Sequence, residues 1–332
     1  MNLKPYNTFG IPAQCDQLIV LEHLDQISEI ISFLNDNPMP VLILGNGSNV
    51  LFVNDFNGLV IVNRIKGLQI VSETDDNISI EAGAGENWRD FVWYCVDRGW
   101  GGVENLADIP GTIGASAVQN IGAYDMEAGN VIVSVTAYSL KTGEKRLFSK
   151  QECCFGYRSS IFKDVDYKHF IITHVTYQLH KKPIPLASYK AIQTVLAEKN
   201  ITSPTIRDIY YMVKELRKSK LPDETILPNA GSFFKNPVVS MEHAQTILQN
   251  FPAMPLFPLP DNRAKLAAGW LIEQCGLKGY RKGDAGIHDK QALVLVNYGA
   301  ATGEQILEVA QLAVRLVWEK FEVTIEPEVV II

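Results

Sequence analysis

The chain has 332 residues, 47% of them hydrophobic and 20% charged, an ordinary globular balance at a length that accommodates more than one domain. Its formal net charge of -7 argues against a dedicated nucleic-acid binder, whose surface must neutralise phosphates. No stretch is apolar for long enough to span a bilayer, and the start, MNLKPYNTFG, lacks a signal pattern, so a cytoplasmic protein is expected.

The five cysteines, Cys15, Cys95, Cys153, Cys154 and Cys275, show no CxxC spacing. An odd count without that spacing predicts buried free thiols, not a disulfide framework. The six histidines form no metal-ligand cluster by spacing, and no metal is expected.

In chain order, LDQISEIISFL places Ile27, Ile30, Ile31 and Leu34 on one helical face. The apolar run MPVLIL ends at GNGSNVLF, and GLVIVNRI, GLQIVSET and ISIEAGAG read as further strands. Strands in succession with little helix between them predict an α+β domain over a repeating βαβ sheet. NWRDFVWYCVDRG reads as a helix ending at Gly99, and VIVSVTAYSL and HFIITHVTYQL as strands. A break at Lys181–Pro185 precedes helices around AIQTVLAEK and IRDIYYMVKELRKSK. AKLAAGWLIEQCG is expected to be helical. So is TGEQILEVAQLAVRLVWEKF, which opens with Thr302 and Gln305 at capping-box spacing and has Ile306, Val309, Ala310, Ala313 and Val317 on its packing face.

Several stretches fit none of these periods. GNGSN follows a strand as a phosphate-cradling turn would, yet it lacks the lysine of a P-loop, and a plain structural turn explains it equally well. IPGTIGASAVQNIGA interleaves Ile109, Ile113, Val118 and Ile121 with small residues. That composition suits a buried loop wrapped around a flat or phosphorylated cofactor. Arg158 in FGYRSSIFK is either a snorkelling surface cation or a fork for a carboxylate or enolate. The basic run RKSK, Arg217 to Lys220, is either a solvated helix end or a diphosphate site. Glu326 and Glu328 in IEPEVVII fall on the same side of a strand-like run. AGSFFKNP sets one hydroxyl, Ser232, beside two phenylalanines.

Taken in order, YNTFGI, LGNGSNVLF, IPGTIGASAVQNIGAYDME, FGYRSSIFK, NAGSFFKNP, AGWLIEQCGLKG and EPEV resemble the UDP-N-acetylenolpyruvoylglucosamine reductase family, from about Tyr6 to Val329. LASYKAIQ around Tyr189 is similar to the longer of the family's two types, which carries a tyrosine loop. The chain departs from the family pattern at Ser116–Ala117, at Ser160 and in ECC for DCC, none of which carries a proposed chemical role.

The resemblance implies an FAD-binding domain of the vanillyl-alcohol-oxidase-like class in two subdomains, 1–65 and 66–205, with a C-terminal α+β substrate domain at 206–332. It implies reduction of FAD by NADPH, then reduction of the enolpyruvyl group of a UDP-sugar, by a monomer. Hydride passes from flavin N5 to C3 of that group. Arg158 and Glu328 would stabilise the enolate and Ser232 would protonate C2. FAD would rest on Gly45, Asn46, Gly47, Ser48 and Asn49, and on Ile109, Pro110, Gly111, Gly114, Ala115, Gln119, Asn120, Gly122, Ala123 and Tyr124. The UDP-sugar would be held by Tyr189, Lys220, Asn236 and Gln291. The rivals are a flavin oxidase of the same superfamily and a non-catalytic flavin- or UDP-sugar-binding protein, neither of which needs Arg158, Ser232 and Glu328 together.

Overall fold

The computed structural model describes residues 1–332. The chain separates into a two-segment unit, Cys15–Asn46 with Asn57–Ser219, and a three-segment unit, Met1–Gln14 with Gly47–Phe56 and Lys220–Ile332.

In the two-segment unit a small sheet has the order Cys15–Leu21, Phe56–Asn63, Val41–Leu44. The last two strands run parallel, with Val41 opposite Leu59. Helix α1, Gln26–Asp36, buries Ile27 and Ile30 against Leu21, Leu59 and Ile61. A five-stranded sheet follows, in the order Lys145–Ser149, Ile132–Ser139, Phe170–His180, Asn77–Gly83, Leu68–Glu73. Its strands are antiparallel throughout. The strand read in ISIEAGAG is realised: Ile78, Ile80 and Ala82 are buried, and Asn77, Ser79 and Glu81 between them are half-buried.

Helix α2, Trp88–Asp97, starts at Asn87, whose side chain accepts from the backbone of Arg89 and Asp90. It packs Trp88 and Phe91 against Tyr177 of the sheet, the Phe91 and Tyr177 rings 4.8 Å apart. Each such fully buried large side chain stabilises the fold by about 1.5–3 kcal/mol. Helix α3, Ile113–Gln119, lies inside the stretch expected to be an irregular loop. Helices α4, Lys190–Glu198, and α5, Ile206–Lys220, complete the layer. The domain expected at 206–332 starts before α5. In the structure Ile209, Met212 and Val213 of α5 join the core of the two-segment unit, and the division falls after Ser219.

The three-segment unit holds a four-stranded sheet in the order Asn229–Ser232, Val294–Asn297, Ala285–Ile287, Arg281–Lys282. A three-stranded sheet joins Val238–Ser240, Arg263–Leu266 and Leu256–Leu259. Helices α6, Met241–Asn250, α7, Ala268–Gln274, and α8, Gly303–Phe321, complete it. The capping box read at Thr302 and Gln305 is formed, and the α8 face expected to pack is buried. The early segments are stitched in by long-range bonds: Asn229 N donates to Thr8 O, and Asn297 Nδ2 to Phe9 O. Val330–Ile331 pairs in parallel with Val50–Leu51. The strand-like run expected over Ile325–Ile332 is regular only at Val330–Ile331, because Pro327 has no N–H to donate and makes a single bridge with Phe234. No helix is long and apolar enough to cross a membrane.

Candidate active site

Two of the stretches expected to hold a cofactor meet in the two-segment unit. Asn46 Nδ2 donates to Gly111 O at 3.2 Å, and Arg64 Nη1 to Gly45 O at 3.0 Å. The stretch 109–124 offers backbone more than side chains: Ile109, Pro110, Ala115, Ile121, Gly122 and Ala123 are all half-buried. Strained dihedrals gather there. Asp108, Asn120, Tyr124 and Asp125 all have positive φ without being glycine, a concentration typical of sites that must present backbone to a ligand. Asn120 ends α3 in the left-handed region, and its side chain accepts from Gly129 N and donates to Glu127 and to Gly156 O.

That last bond begins a clasp between residues 118–122 and 156–163. Ser160 Oγ donates to Val118 O, Lys163 Nζ to Gln119 Oε1 and to Arg158 O, and Arg158 Nη2 to Gly122 O at 2.7 Å. A Cβ at Gly122 would stand 2.9 Å from Arg158 Nη1 and 3.0 Å from Met126 O, so a larger residue would push the guanidinium away. Arg158 itself has φ +52. Beside the clasp, Cys153 is buried, and burial pushes its thiol up to about 12. Cys154 is exposed, and Cys275 half-buried, so the expectation of five buried thiols is corrected for both; Cys154 sits in a tight turn with φ +46 and faces outward.

Tyr189, at the start of α4, packs edge-to-face on Tyr124 at 5.1 Å. Burial raises both phenols above their ordinary pKa. The segment before Tyr189 is held by buried Asn105, which donates to Tyr124 O and Leu186 O, and by Ser188 Oγ on Asp125.

The remaining expected residues belong to the three-segment unit. Ser232 ends a strand and pairs with Val294 across an irregularity in register. Gly231 beside it has φ +69, and buried Asn229 builds the turn by accepting from Gly231 N and donating to Leu227 O. Phe233 and Phe234 are almost wholly buried and anchor the stretch. Residues 232–235 lie alongside 326–328: Glu328 N donates to Phe233 O at 2.7 Å and Lys235 N to Glu326 O. Ser232 and Glu328 are thereby brought onto neighbouring segments. Asn49 joins them, its Nδ2 donating to Glu328 O and its carbonyl accepting from Val330 N.

Asn236 and Gln291 are both brought to the first turn of α7. Asn236 Oδ1 accepts from Ala268 N, and Gln291 Oε1 lies where a Cβ on Gly269 would come within 2.9 Å of it. Lys220 stands apart from them, exposed at the end of α5. Ser48 is half-buried. Gly47 has a structural reason of its own: with φ +62, a Cβ there would fall 1.9 Å from Tyr6 O. Asn229, Asn105 and Lys163 have positions around these residues that the sequence reading did not single out. Asn229 stood inside a quoted motif, and only its buried amide marks it; Asn105 and Lys163 act through partners far along the chain.

The comparisons with known proteins agree with this layout. Residues 15–146 match an FAD-binding domain, and residues 222–332 match the C-terminal domain of UDP-N-acetylenolpyruvoylglucosamine reductase. A protein of that name from Chromobacterium violaceum is 45% identical, covering 100% of this chain and 98% of its own. One from Flavobacterium johnsoniae is also 45% identical, with the same coverage. The crystal structure of the reductase from Thermus caldophilus superposes with a TM-score of 0.70 at 24% identity, covering 100% of this chain and 97% of that one; it supports the expected α+β fold. The side-chain-poor cradle at 45–46 and 109–124, with no lysine or arginine in either stretch, fits a flat heterocycle and a phosphate bound through backbone N–H groups. The chain belongs to the UDP-N-acetylenolpyruvoylglucosamine reductase family of FAD-dependent oxidoreductases.

Proposed function

We propose that the protein reduces UDP-N-acetylglucosamine enolpyruvate to UDP-N-acetylmuramate with electrons from NADPH, for peptidoglycan precursor synthesis. The observation that carries this reading is the backbone pairing of residues 233–235 with 326–328, which leaves Ser232 one position from the residue bonded to Glu328. Residues 45–49 and 109–124 would hold FAD, which would supply the hydride to C3 of the enolpyruvyl group. Negative charge then spreads from C2 onto the substrate carboxylate. Arg158, whose guanidinium is already oriented by Gly122 O, meets that charge with planar donors fixed in advance. By the resemblance, Glu328 would act on the same charge, and Ser232 would deliver the proton to C2. A serine hydroxyl is a weak acid, so this role needs a strongly basic carbon acceptor, which the enolate provides.

Substrate binding follows from the amides. The oxygen of Asn236 accepts from Ala268 N and that of Gln291 from Leu293 N, which leaves the NH2 of each for an anionic ligand. The resemblance adds Lys220 and Tyr189 as further donors to a diphosphate, an ammonium and a hydroxyl that keeps its proton. The test is anaerobic. The purified protein is reduced by NADPH, observed as bleaching of the flavin, and then mixed with the enolpyruvyl nucleotide. Reoxidation by the nucleotide is the expected result; bleaching without reoxidation overturns the substrate.

A further inference from the structure

We infer that Lys163 is a positioning residue for this reaction: its ammonium holds Arg158 in the backbone conformation from which the guanidinium works. The inference rests on the reading of Arg158 as the enolate-stabilising group. Gly156 and Ser159 close a four-residue turn, each donating to the other's carbonyl at 3.0 Å. Tyr157 and Arg158 are its two central residues, and Arg158 has φ +52. A positive φ at the second central position of a turn favours glycine or asparagine, because a Cβ crowds the neighbouring carbonyl. An arginine there persists only when its surroundings over-determine it. Asn120 grips the turn at Gly156 O, and Ser160 fixes its exit at Val118 O. Lys163 grips the strained residue itself, donating to Arg158 O at 3.0 Å. Its second bond, to Gln119 Oε1 at 2.7 Å, carries a charge and ties that grip to the last turn of α3. The carbonyl of Arg158 and its guanidinium are thus held from two sides, by Lys163 and by Gly122 O.

The experiment uses the full-length holoenzyme with Lys163→Met and Lys163→Arg. Lys163→Met should slow reoxidation by the enolpyruvyl nucleotide by on the order of 100-fold, the effect of misplacing a group by about 1 Å. Flavin reduction by NADPH and FAD affinity should stay within about two-fold, and Lys163→Arg should restore most of the lost rate. In an Arg158→Met background, adding Lys163→Met should change the rate by less than about two-fold, because both act through one guanidinium. In the apoprotein, amides of the 156–159 turn should exchange on the order of ten-fold faster in Lys163→Met than in wild type. Additive losses in the double variant, equal losses in both half-reactions or unchanged exchange in the turn would each overturn the inference. Failure of the wild type to reduce the nucleotide, or a full rate in Arg158→Met alone, would instead bring down the reading of the site. The exchange measurement would then still decide whether Lys163 holds the turn.

Discussion

Arg158 and Ser232 each depend on a backbone position with positive φ, but that position differs. In the two-segment unit it lies on the arginine itself, at φ +52; in the three-segment unit it lies on Gly231, at φ +69, one residue before the serine. The reach of the two side chains explains the difference. A serine hydroxyl is one bond from Cβ, so its place is set by its own backbone, and here that backbone is paired with Val294. A guanidinium is several bonds out and can be fixed at its far end, here by Gly122 O. A long side chain therefore tolerates a strained backbone if side-chain partners hold it, whereas a short one needs a regular strand with a glycine to take the bend.

Four experiments sharpen or break this contrast. Ser232→Ala should slow reoxidation by the nucleotide by about 10²–10⁴-fold, the usual share of a general acid. Stopped-flow reduction by NADPH should be nearly unchanged, and equal loss in both halves would make Ser232 structural. Asn229→Ala removes the side chain that builds the serine turn and leaves Gly231 N without its acceptor. It should cost about 1–3 kcal/mol in denaturant unfolding; a loss no larger than that of an exposed Asn→Ala control would show that the strand pairing alone sets the turn. Gly231→Ala meets no atom within 4 Å, so it isolates the backbone strain. A loss of about 1–2 kcal/mol is expected from the positive φ, and no loss would mean that the turn relaxes freely.

The smallest effect is a pH dependence. Burial is the main cause raising the Tyr189 phenol above the ordinary value of a tyrosine, with Asp125 adding to it. A phenol with a raised pKa keeps its proton beyond the pH at which a free tyrosine ionises. KM for the UDP-sugar should therefore show no break near pH 10.0 that Tyr189→Phe removes. Such a break would place the phenol in water.

Much of the secondary structure was legible because it is periodic over short distances. The α8 face and its capping box, the alternation at residues 77–83 and the Ile27–Ile30 face of α1 depend on neighbours within two turns or a few strand residues. Helix α3 was not legible, since Gly114, Ala115, Ser116 and Ala117 give no amphipathic signal. Its stability comes from tertiary contacts: Ser116 Oγ meets the buried Tyr177 hydroxyl at 2.6 Å, and Gly114 N donates to Ala84 O. The division of the chain after Ser219, not at Thr205, was equally hidden, because the packing of α5 is decided by a core built from residues far upstream. In the candidate site, residue types with a chemical use were readable from their motifs. What orients them was not: Lys163 on Arg158, Asn105 on Leu186 and Asn49 on Glu328 are geometric facts between segments, the last pair separated by 279 positions.

The parallel pairing of Val330–Ile331 with Val50–Leu51 bears on the order in which the protein can assemble during synthesis. Val53 N and Asn54 N both donate to Ile332 O, so residues 47–56 have no partner for that edge until a segment far downstream has been made. The two-segment unit draws its sheets and helices almost entirely from residues before Lys220. Residues 1–14 and 47–56 must meanwhile wait with Leu3, Phe9 and Phe52, side chains that are fully buried at the end, exposed to solvent. Pairings of such long range close slowly. Segments 1–14 and 47–56 are therefore the parts whose burial depends most on distant sequence.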